Sequence, residues 1–359
     1  MDNTNRHIWI DSLKGIAILG IILVHSGIRF ESGVVTRFAL ILDNSVQMFF
    51  IISAYLTWKS LDRYFEKKEF NFKTICNWYK LKFMKLAPLY YLALIAYLIA
   101  NPTIGVAYET NQHISVGNMI AHLLMLHGLF PTYADAIMGV EWYIGVLIVF
   151  YLIAPFVHKV VNTKGKAVAL FAGTVVFTAV ATRGANALLG IRMADFWINS
   201  YFSQFWFVLQ LPTLALGVLF YFIEQETDSG DRCIQSLLVI VFATMFLWGQ
   251  VGGSNNLLGF NTFTLVAVGY MFFAYGVIIW KNPVVCNNVF ALLGKYSYPI
   301  YLLHTIVISL TRYIIPLSSS VQLQVIKYIV DVAICFVIAI ILTKYVDDPI
   351  QRFLKKHVR

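Results

Sequence analysis

The sequence predicts an all-α, polytopic integral membrane protein with about ten transmembrane helices and one short interfacial or re-entrant helix. Three observations predict it. Apolar runs that approach or exceed the roughly 20 residues needed to cross a bilayer recur along the chain. Of the 359 residues, 59% are hydrophobic and 13% charged, whereas a soluble domain carries about twice that charged share. Lysine and arginine also concentrate on alternate connecting segments, as the positive-inside rule requires.

In order, the expected spans are about 8–28, 38–58, 83–101, 141–158, 166–183, 203–224, 233–250, 261–280, 292–315 and 325–346. The first apolar stretch, Gly15 to Val24, has no small-x-small cleavage site and continues into His25-Ser26-Gly27. It therefore reads as a retained first helix and not a removed leader. The segment Asn118 to Phe130 is apolar but, as a helix, reaches only about 20 Å, short of a crossing.

Place the N-terminus in the cytoplasm and let the spans alternate. Arg29, Arg37, Arg183, Arg192, Arg312 and Lys327 then fall outside, Lys14 lies within the first helix, and the remaining 20 of the 27 lysines and arginines fall inside. The densest basic stretches, Lys59 to Lys85 and Arg352 to Arg359, are both inside, whereas the acidic linker Glu224 to Asp231 is the weakest point of the scheme. Both termini are then cytoplasmic, and residues 1–359 form a single transmembrane domain. The net charge of +9 reports orientation in the cytoplasmic membrane, with lipid as the partner, and not nucleic-acid binding. Cys76, Cys233, Cys286 and Cys335 show no metal-type pairing and no disulfide framework, so no metal site is expected.

Ionisable side chains inside spans are costly and by default face a cavity or a partner. The first helix holds Asp11, Lys14 and His25. At about 100° per residue, Lys14 and His25 are three turns plus roughly 20° apart, so they share a face about 16 Å apart along the axis. Asp11 lies one turn from Lys14, within pairing reach. Two readings stand for each basic group. Lys14 snorkels to the headgroups beside Asp11, or it holds an anion. His25 is a polar residue held by a neighbouring carbonyl, or it is a base poised near neutral pH. The shared face favours function.

Lys82 and Lys85, at i and i+3 on one helical face, either bind cofactor phosphates by point charge or anchor the helix on the basic side. Other polar positions in spans are Ser53, which most often bonds its own helix, and Glu141 at a helix start. The Trp142-Tyr143 pair suits an aromatic belt. Ser297, His304 and Asp331 complete the set.

These residues together resemble the membrane acyltransferase-3 family of bacterial cell-surface O-acyltransferases. Trp9-Ile-Asp11-Ser-Leu-Lys14-Gly15, with an apolar run to His25, is similar to the family's Asp, Leu, Arg, Gly and a His eleven residues after the Arg. Phe49-Phe50-Ile-Ile-Ser53-Ala54-Tyr55-Leu56 and Lys82-x-x-Lys85-x-x-Pro88-x-Tyr90 follow in order. Trp142-Tyr143 with Phe150-Tyr151-Leu152 and Pro155, then Leu293-Gly294, Ser297-Tyr298-Pro299-Ile300-Tyr301 and His304, and last Asp348-Pro349, extend the match nearly to the end. Three departures stand out. Lysine replaces arginine at 14, 82 and 85, a point charge for a bidentate fork. Ala54 stands where glycine is usual, and Leu147-Ile148 where some members carry an acidic pair.

The resemblance implies transfer of an acyl group, most often acetyl, from cytoplasmic acetyl-CoA or another acyl-CoA to a hydroxyl of an outward-facing glycan or polysaccharide. It places His25 at the reacting centre with Lys14 and Asp11. It assigns the donor to Lys82, Lys85, Tyr90 and Lys14. Substrate or oxyanion contacts fall to Ser53, Tyr55, Glu141, Trp142, Tyr143, Tyr301 and His304. The acceptor is expected on segment 102–140, which carries His113, His122 and His127 and no lysine or arginine. The chain reads as a stand-alone member without an appended extracytoplasmic domain. The competing expectation is a transporter or flippase for a lipid-linked glycan, for which buried His and Lys suit a proton relay. That reading calls for an inverted repeat, and none is visible. A narrower alternative keeps the fold and changes the donor to succinyl or another acyl group.

Overall fold

A computed structural model of the chain describes residues 8–28, 30, 33–100, 114–189, 205–227, 232–250, 262–316 and 319–357. Its helices are α1 (Ile8–Ser26), α2 (Gly33–Asp43), α3 (Val46–Phe65), α4 (Phe72–Ala100), α5 (Val116–Leu123), α6 (Trp142–Val160) and α7 (Lys164–Leu189). They continue as α8 (Phe207–Glu226), α9 (Cys233–Gln250), α10 (Thr262–Trp280), α11 (Asn288–Lys295), α12 (Ser297–Arg312), α13 (Val321–Leu342) and α14 (Asp348–His357). Among the described residues there is no strand, and nine stretches are long and apolar enough to cross a membrane. The protein is an all-α, multi-pass membrane protein, as its hydropathy pattern predicts.

The expected span 292–315 is not one helix. It breaks at Tyr296, whose φ of −99° and ψ of 9° close α11 and open α12. Pro299 sits in the first turn of α12, where its missing amide proton is no loss. The expected span 38–58 also breaks, at Asn44 and Ser45 between α2 and α3. The carbonyl of Ile41 beside this break accepts from Asn44 N at 3.2 Å and from the Tyr270 hydroxyl at 2.5 Å, outside donors of the kind that backbone in an apolar setting requires. The short apolar segment expected as one helix over Asn118–Phe130 is broken: α5 has 8 residues, about 12 Å, and a 3-10 turn follows at His127–Leu129. Helix α5 stops in a Schellman closure, with Leu126 N donating to Ala121 O and Met125 N to His122 O. Met125 takes the left-handed position at φ 55°, a place usually left to glycine.

By packing, the chain divides into two compact units. The first comprises Met1–Ile52 and Phe222–Ile341. Here α1 packs on α11, α2, α12 and α10, and α9 packs on α10. Helices α1 and α11 meet backbone to backbone. A Cβ at Gly294 would lie 1.7 Å from the Asp11 carbonyl oxygen, and one at Gly15 would lie 2.0 Å from that of Phe290. Small residues are how membrane helices come this close. Gly294→Leu therefore has nowhere to place its side chain and should destabilise the unit by about 3 kcal/mol, the upper end for overpacking. Thermal melting in detergent checks this, with Gly173→Ala, where a Cβ meets nothing within 4 Å, expected to melt no lower than the wild type.

The second unit comprises Ser53–Tyr221 and Leu342–Arg359. Here α4 packs on α6 and α14, and α6 on the 3-10 turn His127–Leu129. Pro88 inside α4 leaves the Met84 carbonyl without its i+4 donor. The Gln351 side chain of α14 supplies one, at 3.0 Å, and also reaches Lys85 O at 3.3 Å.

Candidate functional site

In the first unit the site forms where α1 ends. The last carbonyls of a helix need donors from outside it. That of His25 receives Arg312 Nη2 at 2.7 Å from the end of α12, and Gly27 turns the chain away at φ 76°. The His25 ring has no hydrogen bond of its own among the described residues. It meets the ring of His304 edge-on, with centroids 4.9 Å apart at 67°. His304 is 0% exposed, and its Nδ1 lies 2.7 Å from Tyr301 O. A carbonyl only accepts, so Nδ1 carries the proton and Nε2 keeps a lone pair. That Nε2 is buried without a partner among the described residues. The ring of Tyr301 stands 5.8 Å from His304 and 6.5 Å from Phe49. One helix-length away along α1, Lys14 pairs with Asp11 at 2.5 Å, both part-exposed.

The second unit holds Ser53, Tyr55, Lys82, Lys85, Tyr90, Glu141, Trp142 and Tyr143. Lys82 Nζ sits 5.1 Å from the Trp78 ring centroid and 5.4 Å from that of Tyr151, a geometry in which ring faces attract a cation. It borders a mostly apolar cavity of about 370 Å³ lined also by Tyr79, Phe83, Leu126 and Ile148. Lys85, one turn on, is exposed. Ser53 Oγ lies 2.7 Å from the Tyr143 hydroxyl, so it reaches across to α6. Lys59 donates to the Tyr55 hydroxyl at 2.8 Å. Trp142 lies 5.1 Å from the Phe205 ring. Tyr90 turns away from the lysines: its hydroxyl donates to His122 O at 3.3 Å, and its ring stacks near His127.

Glu141 is 0% exposed, as are His122 and His127. Its carboxylate accepts the amides of Ile137 at 2.6 Å, Met138 at 3.0 Å and Val140 at 3.1 Å. His122 Nε2 donates to it at 3.2 Å, while His122 Nδ1 lies 3.0 Å from Asn118 O. Both partners of that imidazole only accept, so both nitrogens carry protons and the pair is ionic. Burial pushes the Glu141 carboxyl up, but the hydrogen bond and charge of His122, with His127 and the Ile137 amide, outweigh it and hold the group low. His127 stacks on His122 at 4.4 Å and lies 2.9 Å from the Glu141 carbonyl oxygen through Nε2. Burial, and then the His122 charge, push His127 down to about 3, which keeps it neutral.

This cluster is closed off from solvent, and its hydrogen bonds hold the loop 124–141. His122 and His127, on the segment where the acceptor is expected, pack against Glu141 and the start of α6, and His113 lies outside the described residues. The residue sequence reasoning missed is Arg312, read only as an outside charge. Its place near the His304 motif is the one signal that marked it. Among the described residues no cluster of three or more His, Cys, Asp or Glu could hold a metal ion.

A multi-pass helical membrane protein with an edge-on imidazole pair at a helix end is the class that fold and site define. The profile of an acyltransferase domain matches residues 7–344. The chain belongs to that family, acyltransferase-3. It is similar to a protein named "Putative O-acetyltransferase" in Staphylococcus aureus (strain COL), 23% identical over 373 aligned residues, which cover 96% of this chain and 57% of the relative. The same figures hold for its counterpart in strain MSSA476. A protein of Acidianus two-tailed virus named "Putative acetyltransferase ORF330" is 22% identical over 265 residues, 72% of this chain and 71% of that one. The chain thus spans 57% of the length of the staphylococcal relatives. No solved structure matches it.

Proposed function

We propose that this protein transfers an acetyl or related acyl group from an acyl-coenzyme A to a hydroxyl of a glycan at the outer face of the cytoplasmic membrane. His25 serves as general base. One observation carries the reading: on a chain of this family, the His25 ring makes no hydrogen bond among the described residues and lies edge-on to a second, buried histidine. A sugar hydroxyl is a poor nucleophile until a base takes its proton. As its oxygen attacks the thioester carbonyl, the proton passes to His25, and the departing thiolate receives it when the intermediate collapses. Base assistance of this kind is worth about 10²–10⁴ in rate. His304 orients the His25 ring, and Tyr301 lines the same face.

The donor phosphates fall to Lys82 and Lys85. Lys82 is held by two aromatic rings, which limits the rotamer freedom lost on binding. Asp11 holds Lys14 in place on α1. Replacing Lys82 and Lys85 singly by Gln is expected to raise the KM for acetyl-CoA about 10–100-fold, the worth of one charge-assisted bond, with kcat little changed. Steady-state kinetics in lipid nanodiscs checks this.

The test of the function uses the full chain in nanodiscs with acetyl-CoA and surface oligosaccharides. Thiol release that requires an acceptor, with a mass gain of one acetyl on the sugar, is expected. Glycan movement across liposomes with no coenzyme A turnover would replace this reading with transport.

A further inference from the structure

We infer that Arg312 is a catalytic residue whose Nε–H holds the oxyanion formed as the acyl carbonyl is attacked beside His25. The inference rests on the reading of His25 as the base. Arg312 is the last residue of α12, and one edge of its guanidinium is fixed: Nη2 donates to the backbone oxygen of His25 at 2.7 Å. That carbonyl is at the C-terminal, negative end of α1, so it anchors a cation well.

Guanidinium carries five N–H donors and no acceptor. Its Nε is buried and has no partner among the described residues. Among the described residues no ion pair neutralises the group either. Asp331 is close in sequence contact, since the neighbouring Thr311 donates to it at 2.6 Å, but its carboxylate is already held by Lys327 at 2.6 Å. A buried charged donor without a partner is costly. Held rigid beside a base, such a donor is what stabilises charge that appears only in the transition state.

The plainer roles leave this unexplained. A topological charge needs no buried Nε. A cap on the end of α1 needs only Nη2, and a lysine would serve.

In the step itself, the hydroxyl oxygen forms a bond to the carbonyl carbon and His25 takes the hydroxyl proton. The carbonyl π pair moves to oxygen, where the Nε–H of Arg312 bonds it. The pair then returns, the C–S bond breaks, and the thiolate takes the proton from His25. Ester and thiol are the products.

The experiment compares the full chain with Arg312→Ala and Arg312→Lys in nanodiscs, using acetyl-CoA and the oligosaccharide acceptor that supports wild-type turnover. Arg312→Ala is expected to lower kcat about 10²–10³-fold, with both KM values within about threefold. Arg312→Lys keeps charge and the bond to His25 O but lacks the second donor, so it stays at least about tenfold down. Added guanidinium should restore part of the Arg312→Ala rate and none of the His25→Ala rate, a response that a folding defect does not give. A kcat for Arg312→Ala within about threefold of wild type, or a loss that guanidinium leaves untouched and that tracks a lowered melting temperature, overturns the role of Arg312 and leaves the acyltransferase reading standing. A wild-type protein that releases no thiol with any acceptor overturns both.

Discussion

His25→Ala is expected to lower kcat about 10²–10⁴-fold while the protein is expressed, extracted and melted as the wild type is. The two halves of that expectation have separate grounds. The ring makes no hydrogen bond among the described residues and is only part-buried, so its removal takes little from folding. The bond that ties this point of α1 to α12 uses the backbone oxygen of residue 25, which alanine keeps. What is lost is the proton acceptor. His25→Gln preserves polarity and size but cannot take a proton near neutral pH, and should be as inactive as the alanine variant. Coenzyme A release in nanodiscs measures both. Wild-type turnover in either would remove the central assignment.

Glu141→Ala is expected to give the largest loss of stability, about 3–5 kcal/mol, the cost of breaking a buried charge pair from one side. The carboxylate accepts three amides and the His122 ring, and all of these donors belong to buried residues with little water to turn to. His122 would be left with a buried, uncompensated charge. Glu141→Gln keeps the shape but turns an NH₂ toward donors, so it should recover only part of the loss. The close approach of Gly128 to Gly145, where a Cβ on Gly128 would meet the Gly145 carbonyl carbon at 2.4 Å, shows how tightly the loop is pressed onto α6. Melting in detergent gives the order wild type, Glu141→Gln, Glu141→Ala. A Glu141→Ala protein that melts like the wild type but turns nothing over would move Glu141 from the scaffold to the chemistry.

Both variants rest on residues visible in the sequence, yet their roles were legible to different degrees. His25 and Lys14 share a helical face by simple periodicity, and the i,i+3 spacing of Asp11 gave the pairing that α1 makes. Ser53, read either as bonding its own helix or as a substrate or oxyanion contact, reaches Tyr143, a partner 90 residues away that no local rule supplies. Glu141 was read as a solvated helix-start acid or a substrate contact, because a sequence shows position on a helix but not that the preceding loop folds over it. The break at Tyr296 had a local signal in Pro299, which the apolar run on either side masked.

Sequence alone determined that this is a helical membrane protein, since hydrocarbon tolerates only backbone that satisfies itself and long apolar runs do so as helices; its resemblance to the acyltransferase-3 family lay in the ordered motifs from Asp11 to Pro349. Sequence also determined which polar residues are unusual, because each is paid for against the bilayer. Only the tertiary structure decided which of them meet: His304 beside His25, Arg312 on the His25 carbonyl, and Glu141 locked by His122. Those meetings depend on how helices distant in sequence approach, and that is set by backbone contacts such as Asp11 on Gly294, which periodicity does not encode.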